Sequence, residues 1–83
     1  MNPEVIYISG EELQILRLVK RMKQDSIARR LHISQQAYSK MEKAKRIEGD
    51  RLTTLIKELG YSFEDLNKIK ETLNSFSSAI IVK

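Results

Sequence analysis

Two adjacent carboxamides, Gln35 and Gln36, with Ser34 just before them and Lys40 one helical turn after Gln36, are the side chains of this chain best suited to hydrogen-bond another molecule. A carboxamide presents one acceptor and two donors, so a pair of them can match a fixed donor–acceptor pattern. Cations are concentrated around them. Residues 17–46 hold ten Lys or Arg against Asp25 and Glu42, a local charge of +8, whereas residues 1–16 carry −3 and residues 47–83 carry −1. The net charge of +4 therefore understates a positive centre. Such a field suits a polyanion, and it equally suits a solvated, Lys-rich helical surface. Catalytic chemistry is poorly supplied: there is no Cys, His32 is the single His, and neither a phosphate-binding Gly loop nor a carboxylate cluster suited to a metal is present. No enzymatic activity, metal or cofactor is expected.

The elements that must position these side chains are mostly helical. Val5 to Ile8 is a β-branched and aromatic run that reads as a short strand. Ser9-Gly10-Glu11-Glu12 reads as a capping box, the Ser9 hydroxyl taking an orphan N–H and the Glu12 carboxylate reaching back. Leu13, Leu16, Val19 and Met22, with Ile15 and Leu18 beside them, predict a first helix to about Lys23. A second helix fits Gln24 to Leu31, with Ile27, Ala28 and Leu31 inward. His32-Ile33 breaks the pattern, and Ser34 caps a third helix that runs to about Lys43 with Tyr38 and Met41 inside. Lys45 to Gly49 is a second break. Leu52, Leu55, Ile56 and Leu59 make a fourth helix, and Gly60 is its left-handed stop. Ser62-Phe63-Glu64-Asp65 opens a fifth, with Phe63, Leu66, Ile69 and Leu73 inward and an end at Asn74-Ser75 and Ser77-Ser78. Ala79 to Val82 reads as a second short strand.

With 83 residues, the chain is expected to form one all-α domain, its core at about residues 10–74 and its extended tails at 1–9 and 75–83. No apolar run approaches the roughly 20 residues needed to span a bilayer, and Met1-Asn2-Pro3-Glu4 lacks the pattern of a signal peptide. The expectation is a cytoplasmic protein with no membrane partner.

Residues 24 to 43 meet a specific geometric demand. Two short helices that cross steeply need apolar inner faces and a small residue where they approach. Ile27, Leu31, Ile33, Tyr38 and Met41 supply the apolar set, and Ala28 sits at the close approach. No Pro interrupts either helix, where it would cost about 3 kcal/mol. The segment Gln24-Asp25-Ser26-Ile27-Ala28-Arg29-Arg30-Leu31-His32-Ile33-Ser34-Gln35-Gln36-Ala37-Tyr38-Ser39-Lys40-Met41-Glu42-Lys43 resembles the helix-turn-helix of the Cro/repressor (xenobiotic-response-element) family. The similarity runs from about Leu13 to Leu66 and includes Leu16-Arg17 and Leu59-Gly60.

The resemblance implies a five-helix, lambda-repressor-like DNA-binding domain whose third helix enters the major groove. Gln35 and Gln36 then match the base-reading pair of lambdoid phage repressors, consistent with bidentate pairing of a carboxamide to adenine N6 and N7. Ser34 and Lys40 would join them on the bases. Gln24, Ser39, Lys43, Lys45 and Arg46 would hold the DNA backbone, which positions a protein without reading sequence. Arg29 and Arg30 would add long-range attraction. Arg17 and Glu42 match a paired arginine and glutamate that tie the first helix to the end of the third. The chain departs from the family at four places: His32 and Ala44 replace common glycines, Tyr38 replaces an aliphatic residue, and Asp50 stands where some relatives carry a cation.

Double-stranded DNA is thus the expected partner, bound by a homodimer joined through the fifth helix and the C-terminal segment Phe76 to Val82. The terminal strands would pair within one subunit or across the dimer. The implied function is transcriptional regulation, as a repressor on a palindromic operator. The competing readings are an antitoxin of a toxin–antitoxin pair, with a toxin or regulator as protein partner, and a protein-interaction module with a basic face.

Overall fold

The computed structural model describes residues 6–81, with side chains as far as Thr72. Five helices and one minimal ladder follow in the order β1 (Tyr7–Ile8), α1 (Gly10–Val19), α2 (Gln24–Arg30), α3 (Gln35–Met41), β2 (Ile47–Glu48), α4 (Gly49–Leu59) and α5 (Phe63–Ile81). The two strands are antiparallel, with Tyr7 opposite Glu48 and Ile8 opposite Ile47. The fold is the expected all-α, lambda-repressor-like one.

Local sequence sets most helix ends. The capping box opening α1 is present in both directions, Ser9 Oγ accepting from Glu12 N–H at 3.1 Å and Glu12 Oε1 from Ser9 N–H at 2.9 Å. Ser62 and Asp65 repeat that reciprocal arrangement at the start of α5. Three helices stop through one device. After α1, Met22 N–H bonds the Arg17 carbonyl and Arg21 N–H bonds Leu18. Ile33 and His32 do the same to Ala28 and Arg29 after α2, and Tyr61 and Gly60 to Ile56 and Lys57 after α4. This paired closure needs a left-handed residue, supplied by Arg21 (φ 58°), His32 (φ 61°) and Gly60 (φ 90°).

Ile8, Leu13, Leu16, Ile27, Ala28, Tyr38, Ile47, Leu52, Leu55, Ile56, Leu59 and Leu66 form one buried cluster drawing on every helix and both strands. Residues from the sequence pattern dominate it, with several corrections. The first helix ends at Val19, not near Lys23, because Arg21 turns left-handed and breaks the ladder. Ile15, Leu18 and Val19 lie outward at 41, 54 and 66% exposure, and the buried place beside Leu16 goes to Arg17. The third helix stops at Met41 rather than about Lys43, and the Ala44 carbonyl beyond it accepts the Gly10 N–H at 2.8 Å. Phe63, at the first residue of α5, is exposed rather than inward, and Ile69 is half-buried.

The second strand was expected at Ala79 to Val82. It lies instead at Ile47–Glu48, inside the segment read as a break, and Ala79 to Ile81 belong to α5. Asn74 and Ser75 fail to end that helix because each costs only a few tenths of a kcal/mol relative to a good helix former, and no Gly or Pro occurs between 63 and 81. The expected extended tail at 75–83 is therefore helical as far as Ile81. Val5, Val82 and the side chains of Leu73 and Phe76 lie outside the described residues.

Candidate nucleic-acid interface

The helix-turn-helix is built from α2, the turn at Leu31 to Ser34, and α3. Ile27 and Ala28 on α2 and Tyr38 on α3 are buried, and the Ala28 methyl is the small group that lets the helices approach. Leu31 and Met41 are half-buried against this core. Ile33, expected in the motif core, is 37% exposed. Its N–H closes the turn onto Ala28, which places its side chain at the edge of the motif rather than inside. His32 takes the left-handed conformation in the position of the family's glycine, a cost of about 1–2 kcal/mol for an L-residue.

Ser34 caps α3, its hydroxyl accepting the Ala37 N–H at 3.0 Å. Gln35, Gln36, Ala37 and Lys40 are exposed, and Ser39 is half-buried. The two amides therefore stand at the open end of a helix whose opposite side is locked by Tyr38. Four salt bridges occur among the described residues, and none uses Lys40, Lys43 or Lys45. Between α3 and α4 lies an open cleft of about 420 Å³ lined by Ile33, Ala37, Met41 and Leu55 together with Lys40, Arg46 and Arg51, and by no acidic side chain.

The inner end of α3 is held by a polar cluster. Arg17 Nε and Nη2 grip both Glu42 carboxylate oxygens, at 2.5 and 3.2 Å, and Nη1 donates to the Met22 carbonyl at 2.8 Å. This is the pair the resemblance implied. Gln24, expected on a phosphate, donates an N–H to Glu42 Oε1 at 2.9 Å, so part of its amide is already engaged inside the protein. Burial pushes the Glu42 carboxyl upward, but the hydrogen bonds from Arg17 and Gln24 outweigh it and hold the group below the ordinary carboxylate range. The Glu42 carboxylate in turn raises Arg17. Tyr38 faces the same pair. Burial first, and then the Glu42 charge, push its phenol well up, although its hydroxyl meets no partner with hydrogen-bond geometry among the described residues.

Other cations have specific duties. Arg29 pairs with Asp25 one turn away at 3.7 Å, and Arg30 donates to the Glu58 carbonyl near the end of α4 at 3.2 Å. Arg46 Nε binds Glu48 Oε1 at 2.9 Å, and its guanidinium lies over the Tyr7 ring. Sequence reasoning singled out neither Tyr7 nor Arg51 for the site. Tyr7 becomes visible only once its strand is paired with β2, and Arg51 only once α4 is packed beside α3. Asp50, in the first turn of α4, favours the positive helix end. Among the described residues no group of His, Cys, Asp or Glu could hold a metal ion, and no helix is long and apolar enough to cross a membrane.

A helix-turn-helix family model matches residues 13–66, spanning the buried pair, both motif helices, α4 and the start of α5. Neither the curated proteins nor the solved structures contain a match to the chain. With more than half of its length matched and the motif geometry in place, the chain belongs to the Cro/repressor-type helix-turn-helix family of DNA-binding proteins.

Proposed function

We propose that the protein is a transcriptional repressor that binds a palindromic operator as a homodimer. The observation that carries this reading is the exposed Gln35–Gln36 pair at the first turn of α3, on a helix whose other side is locked by Tyr38 and the Arg17–Glu42 pair. A helix fixed in this way carries its amides to the base edges without reorienting its backbone. Ser34 and Lys40 complete the reading side. Lys43, Lys45, Arg46 and the half-buried Ser39 hold the backbone, and Gln24 adds a contact through the N–H that Glu42 does not use. One such helix reads only a few base pairs, and two placed about 34 Å apart on a palindrome supply the rest. Leu66 is spent on the subunit's own core, and the apolar positions Ile69, Leu73 and Phe76 that follow it along α5 suit the contact between subunits.

One observation favours a second reading. Ile15, Leu18 and Val19 form an exposed apolar stripe on α1, a surface suited to another protein, as an antitoxin would need for its toxin.

The test separates reading from gripping. Gln36→Ala should weaken binding to a selected operator by about 1–3 kcal/mol and relax preference at one position, leaving random DNA almost unaffected. Lys45→Ala should weaken all duplexes alike and lower the salt slope by about one. Equal effects of both substitutions on every duplex, or no duplex binding at low salt, would overturn the proposal.

A further inference from the structure

Arg46 is held by two residues that face each other across the strand pair. Tyr7 and Glu48 are register partners in the β1–β2 ladder. The Glu48 carboxylate takes the Arg46 Nε–H at 2.9 Å, and the Tyr7 ring lies beneath the guanidinium, 4.1 Å from its central carbon to the ring centroid. One cross-strand pair thus supplies both a charge and an aromatic face to one cation. Tyr7 is itself anchored from α5. Lys70 Nζ lies 4.6 Å over the same ring, donates to the Tyr7 carbonyl at 2.5 Å, and pairs with Glu12 of α1 at 3.6 Å.

This arrangement occupies the side of the guanidinium that DNA does not need. Glu48 takes Nε, while Nη1 and Nη2 make no hydrogen bond among the described residues. Those two nitrogens carry four N–H donors in a planar fork, the geometry that matches a phosphate with two parallel bonds. Arg46 also lines the cleft beside α3 together with Lys40, so the residue that carries the fork borders the helix of the reading residues. A long side chain free in solvent loses rotamer freedom when it binds, and one already stacked and hydrogen-bonded loses less.

We infer that Tyr7 and Glu48 are positioning residues that preorganise Arg46 for a phosphate of the DNA backbone. The inference rests on the proposed role of Arg46 in gripping DNA and names what gives that contact its strength. Tyr7 lies on the short strand β1, ahead of the matched family region, and its part in the interface runs through Arg46.

The experiment uses the full chain and a random-sequence duplex of about 20 base pairs, with affinity followed by fluorescence anisotropy between about 50 and 200 mM salt. Tyr7→Leu removes the aromatic face from a position 41% exposed, so the core is left intact; thermal melting of each variant confirms this. Arg46→Ala should lower the salt slope by about 0.9, the signature of one phosphate contact. Tyr7→Leu should weaken binding about two- to fivefold, because Arg46 must then give up on binding the rotamer freedom that the stack had already removed, with the slope retained because the charge remains. Tyr7→Phe keeps the face and should bind as the parent does. In the Arg46→Ala background, Tyr7→Leu should have no further effect. A Tyr7→Leu effect equally large with and without Arg46, or a Tyr7→Phe protein as weak as Tyr7→Leu, overturns the inference while leaving Arg46 as a backbone contact. An Arg46→Ala protein with unchanged affinity and slope overturns the backbone contact, and the inference with it.

Discussion

Two arginine–glutamate pairs in this molecule share one chemistry and have opposite surroundings. Arg17–Glu42 joins residues 25 apart, with side chains 8 and 5% exposed, whereas Arg46–Glu48 joins residues two apart, with side chains 53 and 49% exposed. In both, the arginine Nε donates to the carboxylate. In the buried pair every arginine nitrogen is engaged, on Glu42 and the Met22 carbonyl, and the carboxylate takes a further bond from Gln24. In the exposed pair, among the described residues, only Nε is engaged, and Nη1 and Nη2 make no hydrogen bond. Burial thus decides what the same ion pair can do. Saturated and dry, it fixes α3 on α1; half-solvated, it leaves the cation accessible to solvent.

The largest expected effect comes from breaking the buried pair. Arg17→Met leaves the Glu42 carboxylate without its cation in a dry site, and should cost about 3–5 kcal/mol in chemical denaturation. The pH dependence should also change sign. In the parent, the Glu42 carboxyl is held below its ordinary range, so its stabilisation is present above the unfolded value and lost as the pH falls through the lower folded value. Without Arg17, burial is the largest influence left on this carboxyl, opposed by the Gln24 hydrogen bond, and the folded value is expected to rise above the unfolded one. This carboxyl then favours folding under acidic conditions and opposes it as the pH rises. An Arg17→Met protein within about 1 kcal/mol of the parent would remove the pair's architectural role.

Local signals account for what was legible in the sequence. Ser9-Gly10-Glu11-Glu12, Ser34 and Ser62 each act through groups three residues apart, so their caps could be read directly. His32 and Gly60 were legible as turn residues for the same reason. The motif core was readable apart from Ile33. Width of pattern misled in α1, where Leu13, Ile15, Leu16, Leu18 and Val19 cover more than one helix face, and only packing reveals that Leu13 and Leu16 go inside while Arg17 takes the third place. The strand pairing was illegible because Tyr7–Ile8 and Ile47–Glu48 are two residues each and nearly forty residues apart. That one gap concealed both holders of Arg46. The Arg17–Glu42 pair, equally nonlocal, became visible only through the family resemblance.

A middle-sized effect probes how closely the buried pair's end of α3 meets α1. Gly10 begins α1 directly against the turn that carries Glu42, its N–H bonded to the Ala44 carbonyl. A Cβ on residue 10 would fall 2.3 Å from the Glu42 carbonyl oxygen and 2.8 Å from that of Met41, both backbone atoms. The backbone must move to admit it, so Gly10→Ala should destabilise by about 1–3 kcal/mol despite the better helix propensity of Ala. A melting temperature equal to or above the parent's would show that this junction has slack, and that the ion pair alone sets the spacing of α1 and α3.

The smallest effect sharpens the contrast from its other side. Glu48→Gln leaves a hydrogen-bond acceptor for Arg46 and removes the charge from a pair already half in water. Its cost in stability should be below about 1 kcal/mol, as for exposed pairs generally. Added salt discriminates further, because the screening length falls from about 8 Å at 0.15 M to about 3 Å at 1 M. The small penalty of Glu48→Gln should fade over that range, while the penalty of Arg17→Met should persist, since mobile ions do not enter the buried site. If Glu48→Gln instead cost as much as Arg17→Met, and did so at both salt concentrations, Arg46 would be a structural residue. Its fork would then be closed by the fold, and burial would not be what separates the two pairs.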